Sequence, residues 1–443
     1  MSERTPSWGI EPVPERLRVL SAFDSTLLWG NLSVSLLVIV IGALLVPALS
    51  LRDALLAILV GAVVGNALLA LAALIGADAR VPGMVLLRAP LGRRGSYAPT
   101  VLNVAQNLGW STFELIIIAA AAAALSQHVF GWSGKWLWTI AFGVLSWGLG
   151  LLGPIGFVRR YLRKFASWAL LFSMAYLTYW AISKSHLHAF WARPGKGGFP
   201  SFGQAVDLVI GSVVSWTPLA ADYTRFARTR RGAAVGAGLG YFVPTIWCVG
   251  LGILIVLARG VGDAQALPAA VAAAGGIAFL ALLAITIDES EKAFADIYST
   301  AVSIQNVLPR ASQRLLITLV SIAATGLALV LNLGNYQDFL YLLGSFFVPL
   351  FGVLAAGAHY SRAQVFDGPS FRPGQLAAWL VGFGLYQWLS PVGPSWWTSL
   401  VAHTHPGNVS FTASLPSFAA SFALALGLGL ATRSSTAPIP ARD

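Results

Sequence analysis

The chain has 443 residues, of which 57% are hydrophobic and only 10% charged, with a mean hydropathy of +0.73. Soluble globular proteins carry about 25% charged residues, so this composition excludes that class and indicates an all-α polytopic membrane protein. The net charge of +11 does not point to nucleic acid, because Lys and Arg collect in the cytoplasmic loops of membrane proteins.

The apolar runs predict twelve membrane-spanning helices, most of them near or above the roughly 17 to 25 residues needed to cross a bilayer. Numbered in chain order, the spans cover residues 27–49, 54–76, 99–126, 136–153, 165–183, 204–222, 234–257, 277–306, 315–331, 337–358, 375–390 and 414–431. They form one transmembrane domain over residues 27–431. A cytoplasmic segment at 1–26 precedes it and a cytoplasmic tail at 432–443 follows it.

The positive charges set the predicted orientation. With the N-terminus inside, 21 of the 28 Lys and Arg residues fall on the cytoplasmic side, six fall outside, and Lys292 lies in the membrane. This asymmetry favours an even number of spans with both ends in the cytoplasm. We expect the protein in the inner membrane of a bacterial-type cell.

Span one contains a run of small and polar residues, Trp29-Gly30-Asn31-Leu32-Ser33. In one interpretation the run is an unwound segment whose carbonyl groups face a cavity. In the other it is a patch of small residues where helices pack closely. The sequence favours neither.

Span three carries a polar stripe in an otherwise apolar helix. At helical periodicity, its members fall within about 100° of one another; they are Asn103, Gln106, Asn107, Trp110 and Glu114. For Asn103 and Asn107 we favour hydrogen bonds between helices. For Trp110 and Glu114 we favour a ligand site, because an aromatic face one turn from an acid suits a flat heterocycle with N–H donors.

Span six ends in the run SWTPLAADYTRFAR at residues 215–228. Trp216 lies deep enough to face a cavity, and packing against helices or lipid is an equal alternative. Asp222 is expected to be a structural partner of Arg225 or of the next loop.

Span eight has a polar face within the membrane. On a continuous helix, Asp288, Glu289, Lys292 and Asp296 share that face, and Lys292 is four residues from both aspartates, so it can pair with either. Polar residues are costly in a membrane helix and usually functional.

The stretch between spans seven and eight, residues 266–276, is apolar but short. We expect an external re-entrant or surface helix. In the rival interpretation, residues 269–287 form the span and residues 288–312 form a solvated amphipathic helix in the cytoplasm, which removes the polar face from the membrane.

The sequence has no phosphate-binding glycine loop and no hydrolase triad, and its six histidines are not spaced for a transition-metal site. The single cysteine excludes an intrachain disulfide. We therefore expect no enzyme activity, no cofactor, and an ion gradient as the energy source. An integral-membrane enzyme that uses the acids at 288–296 is an alternative from a different class.

Five motifs, in order along the chain, resemble one transporter family. They lie at residues 9–14, 88–96, 109–110, 215–228 and 296–299. Together, over residues 9–430, they resemble the nucleobase–cation symporter family of cytosine, hydantoin, allantoin and purine permeases. The chain looks most like the branch of hydroxymethylpyrimidine permeases, the thiamine-precursor carriers, and next most like cytosine permease.

The resemblance implies a leucine-transporter-like fold of two inverted five-helix repeats, at about 27–183 and 204–358, plus two further helices at 375–431. Spans one and six would be broken near the membrane midplane, with the substrate between spans one, three, six and eight. The implied function is import of an aminopyrimidine, such as hydroxymethylpyrimidine or cytosine, by Na⁺ or H⁺ symport with alternating access. Purine, allantoin or hydantoin-type substrates are the alternative.

The resemblance also assigns site residues. Trp110 matches the family's stacking tryptophan, Glu114 matches an amide that hydrogen-bonds the substrate, and Asp296 matches the position that reads the heterocycle edge. The rest of the expected substrate-binding set is Gln106, Ser215 and Trp216. By the same resemblance, a coupling cation would lie against Gly30, Ser33, Ile287, Ser290 and Glu291.

Overall fold

The structure is a computed structural model that describes residues 9–157, 167–183, 187–261, 266–357, 360, 362–404 and 411–434. Over these ranges the chain is helical, and the strand pairing is one isolated parallel bridge between Leu20 and Ala227. The α-helices of the described residues, α1 to α20 in chain order, are Ala22–Ser33, Leu36–Leu45, Leu51–Ala79, Gly83–Leu86, Arg88–Leu91, Tyr97–Phe130, Lys135–Phe157, Ser167–Ile182, Leu187–Trp191, Phe202–Val214, Thr217–Thr224, Arg230–Arg259, Leu267–Ala273, Gly276–Val307, Gln313–Val330, Tyr336–Ala355, Arg362–Phe366, Pro373–Leu389, Ser395–Ala402 and Ser414–Ser434.

A helix or helix pair lies at each of the twelve predicted spans. In order, these are α1 with α2, α3, α6, α7, α8, α10 with α11, α12, α14, α15, α16, α18 and α20. Among the described residues, seven helices are long and apolar enough to cross a membrane, or eight if the bent pair α1 and α2 is one span. The chain is therefore a multi-pass membrane protein, while the count of twelve spans and the inverted repeats stay predictions. Residues 1–8 and 435–443 of the predicted termini, and the predicted cytoplasmic charges at 158–166, lie outside the described residues.

Span one is broken between α1 and α2, whose axes differ in direction by 55°. Val34 is extended, and Ser35 starts α2 by accepting a hydrogen bond on its hydroxyl from the Leu37 amide at 3.0 Å. A serine in this position satisfies one of the free amides at a helix start. The backbone at the break is thus exposed to neighbouring helices instead of being closed within one helix.

Span six is interrupted at Ser215 and Trp216, between α10 and α11. Pro218 lies in the first turn of α11, where proline is tolerated because the amides of that turn have no partner within the helix. Gln106 Nε2 on α6 donates to the Ser215 carbonyl at 3.1 Å. The break in span six therefore faces the polar stripe of span three.

The helix α14 runs without interruption from Gly276 to Val307. Asp288, Glu289, Lys292 and Asp296 are each at most 3% exposed. The rival interpretation, in which this face is solvated in the cytoplasm, is therefore wrong. The stretch before α14 forms the short helix α13.

The N-terminal segment, residues 9–20, packs along one end of the helices. The Val13 amide donates to the Arg80 carbonyl at the end of α3. The Leu20 amide donates to the Phe226 carbonyl just after α11. The Arg225 guanidinium donates to the Gly9 carbonyl at 2.7 Å. The segment thus ties spans two and six together.

The helices α2 and α12 approach each other backbone to backbone. A Cβ atom at Gly42 would overlap the Val249 carbonyl oxygen, and one at Gly252 would overlap the Ile39 carbonyl oxygen. Only glycine permits this contact at either position, because any side chain would force the helices apart.

Candidate functional site

The helices α6 and α14 pack together and carry most of the predicted polar residues. Asn103 Nδ2 on α6 donates to Ser303 Oγ on α14 at 2.8 Å, which confirms the predicted interhelical role of Asn103. Gln106 Nε2 donates to Asn103 Oδ1 at 2.7 Å as well as to the Ser215 carbonyl. The predicted residues Gln106 and Ser215 therefore meet at the break in span six.

Along α6, several buried polar atoms have no hydrogen-bond partner among the described residues. They are Gln106 Oε1, both side-chain polar atoms of Asn107, Trp110 Nε1 and Glu114 Oε2. The interhelical hydrogen bond expected for Asn107 is therefore wrong. Folded proteins pair nearly all buried polar groups, so a row of unpaired ones requires a reason. A polar ligand held against α6 would supply that reason.

Trp110 forms part of an aromatic wall with α16. Its ring lies edge-on to Tyr336 at 5.8 Å and to Phe339 at 5.5 Å, measured between ring centroids. Both contacts fix the orientation of the indole, since edge-to-face packing is the favoured geometry of aromatic pairs.

Trp216 forms a second aromatic group at the break in span six. Its ring centroid lies 6.1 Å from that of Trp29 on α1 and 6.2 Å from that of Tyr241 on α12. Trp110 and Trp216 are each only 8% exposed, so neither is a lipid-facing anchor. The sequence singled out Trp29 only as part of the run in span one and did not single out Tyr241, because only the packing of α1 and α12 against span six brings the two rings here.

Glu114 on α6 and Glu289 on α14 lie with their carboxyl groups within hydrogen-bonding reach of each other. Both are buried. Glu289 Oε1 accepts from Ser35 Oγ at 2.5 Å and from the Leu36 amide at 3.0 Å, whereas Glu289 Oε2 accepts no hydrogen bond among the described residues. Two acids that the sequence places 175 positions apart therefore form one pair between the break in span one and the stripe on α6.

Asp296 lies on the same face of α14 and is 3% exposed. No hydrogen bond from a described residue reaches its carboxylate. Tyr241 interacts electrostatically with both Glu114 and Asp296, so the two predicted substrate-reading acids face a common region. Glu114 and Asp296 also interact electrostatically with each other, and Trp110 lies one turn from Glu114 on α6.

Lys292 pairs with Asp288 and not with Asp296. The distance from Lys292 Nζ to Asp288 Oδ2 is 2.5 Å, and that to Glu289 Oε2 is 3.8 Å. Asn31 on α1 donates to Asp288 Oδ2 at 3.2 Å. The side chains that α14 presents to span one are therefore these two acids and the lysine between them.

The residues predicted to hold a cation do not converge as side chains. Gly30 packs against the Gly240 backbone of α12. Ser33 Oγ donates to the Tyr241 carbonyl at 2.9 Å and lies 3.0 Å from Thr245 Oγ1. Both residues of span one thus face α12, not α14.

On α14 the predicted cation residues point elsewhere as well. Ile287 is 44% exposed. The Ser290 carbonyl accepts a hydrogen bond from Ser146 on α7 at 3.2 Å, and Ser290 Oγ has no partner among the described residues. The Glu291 side chain lies outside the described part of the chain. Their role as cation ligands stays a prediction.

Asp222 contacts Arg225, one of its two expected partners, through its backbone carbonyl, whereas its carboxylate reaches α4. Asp222 Oδ1 accepts from the Gly83 amide at 2.9 Å, and Arg225 Nε donates to the Asp222 carbonyl at 3.2 Å. Arg225 also donates to the Tyr298 hydroxyl at 3.1 Å. These bonds join span six to α4 and to α14 below the candidate site.

Solved transporters share the architecture. A structure of Mhp1, a nucleobase-cation-symport-1 family transporter, in a closed conformation with bromovinylhydantoin bound aligns with a TM-score of 0.73 at 18% identity, over 97% of this chain and 95% of that one. The inward-facing conformation of Mhp1 gives 0.75 at 16% identity, over 98% and 96%. A Na⁺-coupled sialic acid symporter in a substrate-bound outward-open state gives 0.63 at 12% identity, over 96% and 92%. At these identities the likeness establishes the fold alone.

No curated protein matches the chain in sequence. The family model described as a permease for cytosine/purines, uracil, thiamine and allantoin matches residues 12–365. The match covers most of the chain, including α6, both broken spans and α14. The chain therefore belongs to this permease family, and the protein is a transporter, not an enzyme.

Proposed function

We propose that the protein imports a small aminopyrimidine, such as hydroxymethylpyrimidine or cytosine, as a secondary active symporter driven by a Na⁺ or H⁺ gradient. Trp110 and Trp216 stack on the heterocycle, and Glu114 and Asp296 accept hydrogen bonds from its amino group and ring N–H. Gln106, Asn107 and Ser215 supply the remaining polar contacts. Rocking of one helix bundle against the other exposes the site to each side in turn.

One observation carries the choice of an aminopyrimidine. Glu114 Oε2 is buried without a partner, and the Asp296 carboxylate receives no hydrogen bond from the described residues. An ionised carboxylate accepts hydrogen bonds and cannot donate them. Two such groups favour a ligand with several N–H donors over one rich in carbonyl oxygens.

A purine, allantoin or hydantoin substrate is the alternative, and Asn107 favours it. The Asn107 amide offers an NH₂ donor group and a carbonyl acceptor, both unpartnered, which suits the N–H and carbonyl edge of an oxo-heterocycle. Such a ligand would also require a proton on Glu114 or Asp296.

Thermal stability of the purified protein distinguishes the two. A ligand that binds the folded state raises the melting temperature as its concentration rises. We expect hydroxymethylpyrimidine or cytosine to raise it more than uracil, hypoxanthine, allantoin or hydantoin. The reverse order would contradict the aminopyrimidine assignment and favour the alternative.

Two variants test the site itself. Trp110→Ala and Glu114→Gln should each weaken the ligand-dependent rise, whereas Trp396→Ala, at a tryptophan that is 69% exposed on α19, should leave it unchanged. If both site variants kept wild-type binding and uptake, the site assignment would be wrong.

We infer that both termini lie in the cytoplasm and that the membrane is a bacterial inner membrane. The excess of Lys and Arg on one set of loops supports this orientation. Reporter domains active only in the cytoplasm or only in the periplasm, fused to the C-terminus, test it. A signal from the periplasmic reporter alone would show that the C-terminus lies in the periplasm and would contradict the inferred orientation.

A further inference from the structure

The junction of span one with α14 contains a buried ion pair that takes no part in the proposed substrate contacts. Lys292, Asp288 and Glu289 are each at most 2% exposed. Asn31 holds Asp288 from α1, and Ser35 holds Glu289 from the start of α2. The Lys292 ammonium lies between the two acids that hold the two sides of the break in span one.

These residues do not fit a sodium ion. A hard cation needs several oxygen ligands around it. Among the predicted ligands whose side chains are described, Ser33 Oγ is bonded to α12, Ile287 is apolar and 44% exposed, and Gly30 has no side-chain oxygen, which leaves the Ser290 hydroxyl as the one free side-chain oxygen. The acids that do reach the break already face an ammonium group. A second positive charge within a few ångström would be repelled strongly in so dry a place.

We propose that Lys292 takes the place of the coupling sodium ion, and that the coupling ion is a proton shared between Glu114 and Glu289. This inference deepens the proposed function and rests on it for the substrate that accompanies the proton.

The charge balance of the described residues supports a proton. Glu114, Asp288, Glu289 and Asp296 face one ammonium, and burying uncompensated charge is costly. A proton carried by Glu289 and donated to Glu114 lowers the excess charge and gives Glu289 Oε2 a partner, while Glu114 stays ionised and keeps an oxygen for the substrate. The titratable groups that interact with this pair from neighbouring positions and elements are Asp288, Lys292, Asp296, Tyr241, Cys248 and Tyr336.

The position of the pair links the proton to movement. Glu114 lies one turn from Trp110 in the substrate wall, and Glu289 accepts from the Leu36 amide, the first of α2, and from the Ser35 hydroxyl. Loss of the proton leaves two carboxylates side by side, and their repulsion pushes Glu289 away from α6. The same displacement loosens the start of α2, so proton release and opening of span one occur together.

The first test needs no substrate. The melting temperature of the purified protein is measured in NaCl and in choline chloride of equal ionic strength. Wild type should show no difference, and Lys292→Gln should gain a saturable rise that is specific for Na⁺, because its two acids become free to bind a cation. Lys196→Gln removes an exposed lysine and should behave as wild type.

The second test uses proteoliposomes and radiolabelled cytosine. Uptake should follow an inward proton gradient in the absence of Na⁺, and a Na⁺ gradient at constant pH should drive none. Three results would each overturn the inference. They are stabilisation of wild type by Na⁺ but not choline, uptake driven by a Na⁺ gradient, and a folded Lys292→Gln protein whose melting temperature does not respond to Na⁺. If Lys292→Gln fails to fold, the wild-type measurements in Na⁺ and choline decide the inference. If none of the heterocycles tested in the thermal-stability experiment binds, the proposed function is contradicted, but the substrate-free comparison of Na⁺ with choline still holds.

Discussion

The Tyr223 hydroxyl on α11 donates a hydrogen bond of 3.0 Å to the backbone carbonyl of Ala295 on α14, the residue immediately before Asp296. The Tyr223 ring also packs edge-on against Trp29, with the centroids 6.0 Å apart. This one side chain therefore ties the backbone beside Asp296, a proposed substrate contact, to α11, which follows the break in span six.

Tyr223→Phe should weaken substrate binding without abolishing it. The lost hydrogen bond is worth about 0.5 to 1.5 kcal/mol, so we expect KM for cytosine uptake to rise about 2- to 10-fold. Tyr341→Phe is a matched control, because the Tyr341 hydroxyl also donates to a backbone carbonyl, that of Gln204, at 3.1 Å. The control should lose similar stability and keep its KM. Equal KM values in both variants would refute a role for Tyr223 in positioning Asp296.

Trp110→Ala should weaken binding more strongly than Trp110→Phe. Stacking of a base on an aromatic side chain is worth about 1 to 3 kcal/mol, which corresponds to about 5- to 140-fold in Kd. Phenylalanine keeps an aromatic ring between Tyr336 and Phe339 but lacks the indole N–H. The affinity lost in Trp110→Phe should therefore be smaller than that lost in Trp110→Ala. Isothermal titration with cytosine measures both. A larger loss for phenylalanine than for alanine would mean that Trp110 does not stack on the ligand.

Glu289→Gln should separate substrate exchange from accumulation. Glutamine keeps an oxygen that can accept from Ser35 and the Leu36 amide, and its amide group can donate permanently to Glu114. The variant then resembles a transporter that never releases its proton. We expect exchange of internal for external cytosine to persist and uptake against a gradient to be lost.

The control for this change is Glu15→Gln, since Glu15 has a 69% exposed side chain outside the membrane helices. It should accumulate cytosine as wild type does. Proton-driven accumulation by Glu289→Gln would show that Glu289 does not carry the coupling proton.

Arg225→Lys should loosen the end of span six. The guanidinium reaches the Gly9 carbonyl, the Asp222 carbonyl and the Tyr298 hydroxyl at once, and an ammonium group cannot reproduce that fork. We expect a lower melting temperature and faster proteolysis of the N-terminal segment. Arg228→Lys, three residues on and exposed, should change neither. Unchanged proteolysis in Arg225→Lys would show that Arg225 does not hold the segment.

Much of the helical layout is readable from the sequence. The twelve apolar runs coincide with helices because a membrane span must close its backbone hydrogen bonds within a continuous helix. The stripe on α6 and the polar face of α14 are also readable, since both follow from helical periodicity. In span one the run at 29–33 is itself helical and Gly30 packs closely against Gly240, whereas the break comes just after the run, at Val34 and Ser35.

Contacts between helices that are far apart in the sequence cannot be predicted from helical periodicity. Periodicity orders residues on one helix but does not say which face of another helix they meet. Glu289 lay within the predicted polar face, yet its partner Glu114 and its hold on α2 depend on how α6, α2 and α14 pack. The interhelical hydrogen bond predicted for Asn107 was wrong for the same reason. An amide in a membrane helix usually bonds to a neighbouring helix, but the Asn107 amide, one turn before Trp110, has no partner among the described residues.

The glycine contacts between α2 and α12 bear on how the transporter opens. Because Gly42 and Gly252 bring the two backbones into direct contact, neither helix can slide or roll along the other. We therefore expect α2 and α12 to move together, while the extended backbone at Val34 and Ser35 flexes beside the Leu36 amide that Glu289 holds. In such a movement the looser contact between Gly30 and Gly240, on the other side of the break, has to give way.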